Sequence, residues 1–454
     1  MTDVGPGPTS PAELGHVGRE RVPALGGERL IPVPDQVATA YLLLALRIDQ
    51  RDPGFVDAYI GPADLKARVD IEQPPSLERL SADVDALRTR VTDDIDDADR
   101  RAWLLGQLDA IEVRLSVLAG APVPYLEQVE RAFQWRPRRR DERELDAAAV
   151  EIDRLLPGDD PVEARLAAWD DRLTVPPERL EMVAGRLLEA VRERAAVTFG
   201  VPEGETCRLR LVRGQPWSGY DWYDGGGRSR IDVNQDLPMR APELLDLLAH
   251  ETYAGHHLEH AWKERSLVEE AGWLEHSVTV LLAPEGLISE GLADVGPQLL
   301  VQGTDRVDLL AATFEWAGLE VGSSRATARE AAERAFALAP PRRRLQDVSV
   351  NAGLLRWVDG ADSDETLAYL RRYGRLSEAR ARKRLEFIEH PSLRIYVHVY
   401  AEGAWLIRRW LDATADGDRP GAFRRLLREA MTPHRLVAEA GLAEAGLAES
   451  AGER

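Results

Sequence analysis

One cysteine, Cys207, stands in 454 residues. A single thiol excludes an intramolecular disulfide and a cysteine-built zinc site. Its setting, Thr206-Cys207-Arg208-Leu209-Arg210-Leu211-Val212, reads as a strand, so a packed thiol is expected there rather than a nucleophile. Lysine is nearly missing as well: Lys66, Lys263 and Lys383 are the only three, and arginine carries the rest of the positive charge, which reads as a codon-composition bias. Nowhere does an apolar run reach the ~18 residues of a membrane-spanning helix. Residues 1–25 are rich in glycine, proline and charge and lack the apolar core of a signal peptide, so a cytoplasmic protein is the expectation. Positive charge does not dominate either. The balance of 58 basic against 78 acidic residues leaves −20, which argues against nucleic acid or an anionic membrane surface as the main partner. No internal repeat of fixed period is visible.

What remains is an ordinary soluble composition, 44% hydrophobic and 30% charged, long enough to bury a large core. Residues 1–34, with Gly5-Pro6-Gly7-Pro8 and Gly26-Gly27, read as a disordered tail. Asp35 is placed to cap a helix over Val37–Gln50. Apolar residues then recur at three and four (Leu77, Leu80, Val84, Leu87 and Val91; Leu104, Leu108, Ile111, Leu115 and Leu118), so residues 35–199 form a helical N-terminal region ending in a long helix from Pro177 to Thr198. The acidic run Asp93–Asp99 reads as a solvated turn between helices. The basic run Arg136–Arg140 reads as a loop paired with Asp141, Glu142 and Glu144. Near Gly200 the pattern changes. Alternating segments around Cys207–Val212, Tyr220–Tyr223 and Arg228–Asn234 predict a small antiparallel sheet, with Gly225-Gly226-Gly227 as a flexible hairpin tip. The triplet lacks the Gly-Lys-Ser/Thr ending of a phosphate loop. Residues 200–437 make the candidate catalytic region, helical after the sheet, and residues 438–454 a frayed tail.

The chemistry concentrates in His250-Glu251-Thr252-Tyr253-Ala254-Gly255-His256-His257-Leu258-Glu259-His260, which holds four of the nine histidines. The usual zinc-peptidase helix puts histidines at i and i+4, with a glutamate after the first serving as general base. Here the i+4 position is Ala254. On an undistorted helix His256 would point about 120° away from His250, and His257 would lie roughly 10 Å along the axis. Gly255 is the natural place for a break that brings His250 together with His256 or His257. His256 with His260 has the i, i+4 spacing but leaves Glu251 without its role. A third ligand is expected from Leu287-Ile288-Ser289-Glu290-Gly291-Leu292-Ala293-Asp294, where Glu290 and Asp294 share a helix face. Glu290 would ligate, and Asp294 would accept the outer N–H of a ligand histidine.

His250-Glu251 followed by Gly255-His256-His257, with Glu290-Gly291-x-Ala293 downstream, resembles the bacterial family called domain of unknown function 885, whose motif is H-E-x-x-P-G-H-H followed by E-G-x-A. That family is similar to the gluzincin metallopeptidases, including carboxypeptidase Taq and the thimet-oligopeptidase group. The resemblance spans roughly residues 210–410, and Ala254 departs from it where the family has proline. It implies that Arg230–Asn234 is an edge strand that holds an extended substrate, with Asn234 a contact. It also implies that His390–Gly403, ending in Tyr400-Ala401-Glu402-Gly403, supplies transition-state donors or a carboxylate anchor from Tyr400, His398, Tyr396 and Arg394.

The combined expectation is a mainly α, zincin-like architecture with a small antiparallel sheet beside the active-site helix. Zinc would sit on His250, His256 and Glu290, with Glu251, Tyr400 and His398 catalytic. Asp294, His257 and His260 would stand behind the ligands. The expected activity is hydrolysis of short peptides. An ester or amide hydrolase with the same centre is the enzymatic alternative, and a silent helical binding protein the non-enzymatic one.

Overall fold

Asp35 accepts a hydrogen bond from the Ala38 amide at 2.7 Å and starts helix α1 (Gln36–Asp49), one residue earlier than its periodicity predicts. The computed structural model describes residues 35–215, 217–236, 238–321, 325–414 and 416–442; the expected tail over 1–34 lies outside them. Helices α2 (Ala63–Asp70), α3 (Leu77–Asp94), α4 (Ala98–Leu118), α5 (Tyr125–Phe133), α6 (Glu142–Leu155), α7 (Val162–Arg172) and α8 (Pro177–Thr198) follow. The predicted stripes are the buried ones: Leu80, Val84, Leu87 and Val91 on α3, and Leu104, Leu108, Ile111 and Leu115 on α4. Ser76 and Asp97 cap these two helices, and the acidic run forms the turn between them.

Among the described residues five strands break the helical order: β1 (Val56–Tyr59), β2 (Thr206–Val212), β3 (Gly219–Tyr223), β4 (Arg228–Asn234) and β5 (Val278–Val280). β1 and β5 pair antiparallel and stitch the N-terminal helices to a segment beyond the histidine stretch. The other three run in the order β2-β4-β3. The expected all-antiparallel sheet is corrected to a mixed one. β3 and β4 form the hairpin, and β2 joins the far side of β4 in parallel. Gly225, Gly226 and Gly227 turn the hairpin at φ of 79°, 65° and 68°, a left-handed run that side-chain-bearing residues resist. The tip is anchored, contrary to the flexible one expected. The Gly226 amide donates to the Glu264 carboxylate at 2.7 Å.

Helices α9 (Ala241–Glu251), α10 (His256–Lys263), α11 (Pro284–Leu300), α12 (Gly303–Ala317), α13 (Arg325–Gln346), α14 (Val348–Trp357), α15 (Ser363–Gly374), α16 (Glu378–Glu389), α17 (Val399–Thr414), α18 (Arg419–Arg428) and α19 (Pro433–Glu439) complete a mainly α fold. Glu439 closes α19 with its carboxylate held by Trp410 and Arg425, so the start of the expected frayed tail is tied down; 443–454 lie outside the described residues. The buried apolar side chains fall into two clusters. One is built chiefly by α1–α4 with Leu267–Ala283, and the other by α5–α8 together with everything around the histidine stretch. The Arg136–Arg140 run pairs farther away than its sequence neighbours suggest. Arg140 reaches the fully buried Glu402 at 3.1 Å, which also accepts from Trp135 Nε1 at 2.7 Å. No helix among the described residues is long and apolar enough to cross a membrane.

Candidate metal centre

Helix α9 stops at Glu251 because Thr252 leaves helical geometry (φ −121°, ψ −109°). The turn that follows is held by backbone bonds: Ala254 N–H donates to Ala249 O at 3.1 Å, and Leu258 N–H to Thr252 O at 3.1 Å. Helix α10 restarts at His256. Gly255 permits the turn by close approach, since a Cβ there would sit 1.8 Å from the His250 carbonyl oxygen and 2.9 Å from the Ala293 Cβ. Gly296 matches it from α11, where a Cβ would meet the Ala254 carbonyl oxygen at 1.8 Å. Glycine and alanine on these two elements therefore let the broken helix lie against α11, the helix that carries Glu290.

The break brings the His250 and His256 rings to a centroid distance of 4.8 Å, nearly perpendicular. His250 Nε2 lies 3.4 Å, and His256 Nε2 3.8 Å, from Glu290 Oε2. One donor atom from each of these three residues falls within 4.8 Å of the others. Glu290 Oε2 is buried and has no hydrogen-bond partner among the described residues, whereas Oε1 accepts from Tyr396 O–H at 2.8 Å. The outer nitrogens are occupied. His250 Nδ1 lies 3.2 Å from Asp294 Oδ1. His256 Nδ1 lies 3.1 Å from Ser289 Oγ, and that hydroxyl spends its proton on Glu259 at 2.5 Å. Ser289 must then accept from His256 Nδ1–H, which leaves the Nε2 lone pair facing Glu290. Two imidazole nitrogens and a carboxylate oxygen with this support form a donor set that suits a zinc ion with an open position.

Burial lowers His250, but the Asp294 and Glu290 carboxylates outweigh it and hold its pKa well above the ordinary value. His256, with less carboxylate contact, is pushed down to about 3 by burial. Glu251 is raised to about 7, chiefly by burial, partly offset by His250; its carboxylate accepts from the Asp221 backbone amide on β3. All of these line one cavity of about 970 Å³. Tyr400 lines it too, its ring 5.8 Å from that of Tyr396.

Both tyrosines are brought to Glu290 by one helix crossing. A Cβ on Gly291 would lie 2.3 Å from the Gly403 carbonyl carbon, and one on Gly403 would lie 2.2 Å from the Leu287 carbonyl oxygen. The glycine after Glu290 and the glycine closing Tyr400–Gly403 are thus each other's contact, and they bring α11 and α17 to backbone distance.

Four expected site residues are elsewhere. His257, placed behind the ligands by sequence, turns to the sheet. It is fully buried, with Nδ1 2.8 Å from Ser229 Oγ and Nε2 3.1 Å from Glu205 Oε2. His398 is not at the cavity; it is fully buried with Nε2 on the Tyr125 hydroxyl at 3.0 Å. Arg394 points away, bonding Gln128 Oε1 at 3.1 Å and stacking over Trp357. Asn234 is a loop clamp rather than a substrate contact, since its Nδ2 donates to the Gln215 and Trp217 carbonyls at 2.8 and 3.0 Å. Its strand, β4, is the central one; β3 is the edge along the cavity through Ser218–Asp221. His260 does line the cavity, but it stacks on Tyr223 and stays out of the converging group.

Sequence reasoning missed the chain behind His256. Lys263 bridges Glu259 at 2.7 Å and Glu285 at 2.8 Å, and so holds the carboxylate that orients Ser289. The i, i+4 spacing of Glu259 and Lys263, and a serine directly before Glu290, were the available signals.

No protein family model matches the chain, and no curated protein matches it. Solved structures do resemble it. One, from Colwellia psychrerythraea and described as a "putative lipoprotein", aligns with a TM-score of 0.49 at 13% identity, over 90% of this chain and 76% of that one. Another, from Shewanella oneidensis and described as a "putative lipoprotein of unknown function", aligns with a TM-score of 0.44 at 12% identity, over 90% of this chain and 82% of that one.

Proposed function

We propose that the chain is a zinc-dependent hydrolase that cleaves short peptides inside the 970 Å³ cavity. The observation that carries the reading is the unpartnered, buried Glu290 Oε2 facing two Nε2 atoms whose rings are fixed from behind. His250, His256 and Glu290 would hold the ion. When bound, such an ion supplies Lewis acidity toward a carbonyl oxygen and toward water. The remaining work falls to the chain. Glu251, raised to about 7, takes a proton at its carboxylate and returns it to the leaving amine. Tyr400, which lines the cavity, would donate to the developing oxyanion. The outer edge of β3 offers backbone groups to an extended peptide. The volume of the cavity accommodates a short peptide. The single cysteine fits a reducing, cytoplasmic setting.

Metal analysis of the purified chain tests this first. One equivalent of zinc is expected, lost in His250→Ala. Absence of stoichiometric metal, with no change of metal content or stability in His250→Ala, would remove the reading. Glu251→Gln should keep the zinc and lower cleavage of a peptide library by about 10²- to 10⁴-fold. Retained zinc with no cleavage of any peptide by the wild type would favour the ester, amide or non-enzymatic alternatives.

A further inference from the structure

Three arginines that line the cavity have no carboxylate in direct contact among the described residues. Arg342 meets Asp170 and Arg344 meets Glu151, but Arg343 between them makes no hydrogen bond or ion pair among the described residues. On α17, Arg409 lies over the Trp405 ring while Arg408 next to it has no such partner. On α16, Arg384 bonds only a neutral group, Ser349 Oγ at 2.8 Å. All three line the cavity that holds His250, Glu251 and Glu290. They come from three different helices.

Each is partly withdrawn from water, and burial is the largest influence on each, lowering its basicity. Arg343 and Arg408 also oppose one another, relieved only at a distance by Asp294 and other carboxylates. Guanidinium groups desolvated without a direct counter-charge are costly, and two that repel each other cost more. An anion in the cavity would relieve both costs. The planar N–H fork suits a carboxylate by two parallel hydrogen bonds.

We propose that Arg343, Arg384 and Arg408 form a subsite for a carboxylate of the substrate, so that the cavity selects short peptides carrying one. The selection rests on the hydrolase reading only for its consequence; binding itself needs no turnover. The carboxylate is either the free C-terminus of the peptide or an acidic side chain. The two sources are separable by ligand design.

The test is a calorimetric titration of the full chain as Glu251→Gln, which prevents turnover, with three ligands: N-acetyl-trialanine, its C-terminal amide, and an amide with one alanine replaced by glutamate. An acid-bearing ligand is expected to bind at least about tenfold tighter than the neutral amide, and the arm in which this occurs identifies the source. Arg343→Gln combined with Arg408→Gln should reduce that ratio to about one, and Arg384→Gln should narrow it. Lysine at the same positions should restore part of it. A merely structural role would lower stability in these variants and leave the ratio intact. The proposal is overturned if acid and amide forms bind within about twofold of each other, including the case in which neither binds at millimolar concentration, or if the ratio survives in the double variant. An intact ratio in a chain that lacks zinc and cleaves nothing would sink the hydrolase reading and leave the subsite standing. Zinc and cleavage without the ratio would do the reverse.

Discussion

Gly255 decides whether the histidines meet, because its missing side chain makes room for the His250 carbonyl. Gly255→Ala places a methyl group inside that carbonyl's contact distance. Nothing flexible stands in the way to yield, so the turn must open. A loss of about 3 kcal/mol of stability is expected in urea denaturation, together with weaker zinc retention on dialysis against a chelator. Unchanged zinc retention would mean that the turn is not what aligns the rings. His256 and His257 make a sharper pair. His256→Ala should abolish zinc retention and cost little stability, because its ring faces the cavity. His257→Ala should leave the zinc in place and cost roughly 3 kcal/mol, because it strips a buried partner from Glu205 and Ser229. Reversed effects would exchange their roles. Neighbouring positions in the chain could not make this distinction. What orients His257 is Glu205, 52 positions away, and Ser229, 28 away. What orients His256 is Ser289, 33 away. The need for a break at Gly255, by contrast, was visible from spacing alone, since helical geometry is local.

At the scale of elements, the same division explains what could be read and what could not. Helices with a clear apolar stripe and a polar cap, such as α3 and α4, fall where their periodicity puts them, and so does α8, which starts at a proline pair. The β3–β4 hairpin follows from its glycine turn. The strand order does not, because placing β2 beside β4 rather than β3 depends on contacts distant in sequence, and the edge that lines the cavity is β3 rather than β4 as a result. The sequence resemblance marks His390–Gly403 as one functional block. In the fold it is a short turn followed by a helix, so Tyr396 and Tyr400 face Glu290 while Arg394 and His398 face the N-terminal helices. The α11–α17 crossing makes this division possible, and it gives a prediction for the pair of elements. Gly403→Ala drives a methyl into the Leu287 carbonyl and pushes the helices apart. A loss of about 2 kcal/mol and a lower Tm are expected. Peptide cleavage should fall by more than the folded fraction does, since Tyr396 no longer supports Glu290. Cleavage that tracked the folded fraction alone would show that the crossing only stabilises.

For the whole molecule, the burial of neutral groups sets how stability responds to pH. The chain is strongly acidic, so protonating exposed carboxylates relieves repulsion and by itself favours the compact form. Buried histidines oppose this. Burial, reinforced by the Arg140 charge, pushes His398 down to about 3 from an ordinary value of 6.5. Between those two values the unfolded chain binds a proton at this residue and the folded chain does not. Stability must therefore fall as pH falls through that window, and the contribution is fully present above it. The hydrogen bonds show how the ring can be removed without leaving an orphan. Tyr125 O–H already donates to the Arg394 carbonyl at 2.9 Å, so it accepts from His398 Nε2, and Nδ1 is a buried nitrogen without a partner among the described residues. His398→Leu should then retain zinc and peptide cleavage, since the residue lies outside the cavity. It should also lose about 2 kcal/mol less than the wild type when urea denaturation at pH 7 is compared with pH 4.5. Equal losses would show that His398 is protonated in the folded chain after all. Lost cleavage with intact stability would return it to the catalytic role that its sequence motif implied.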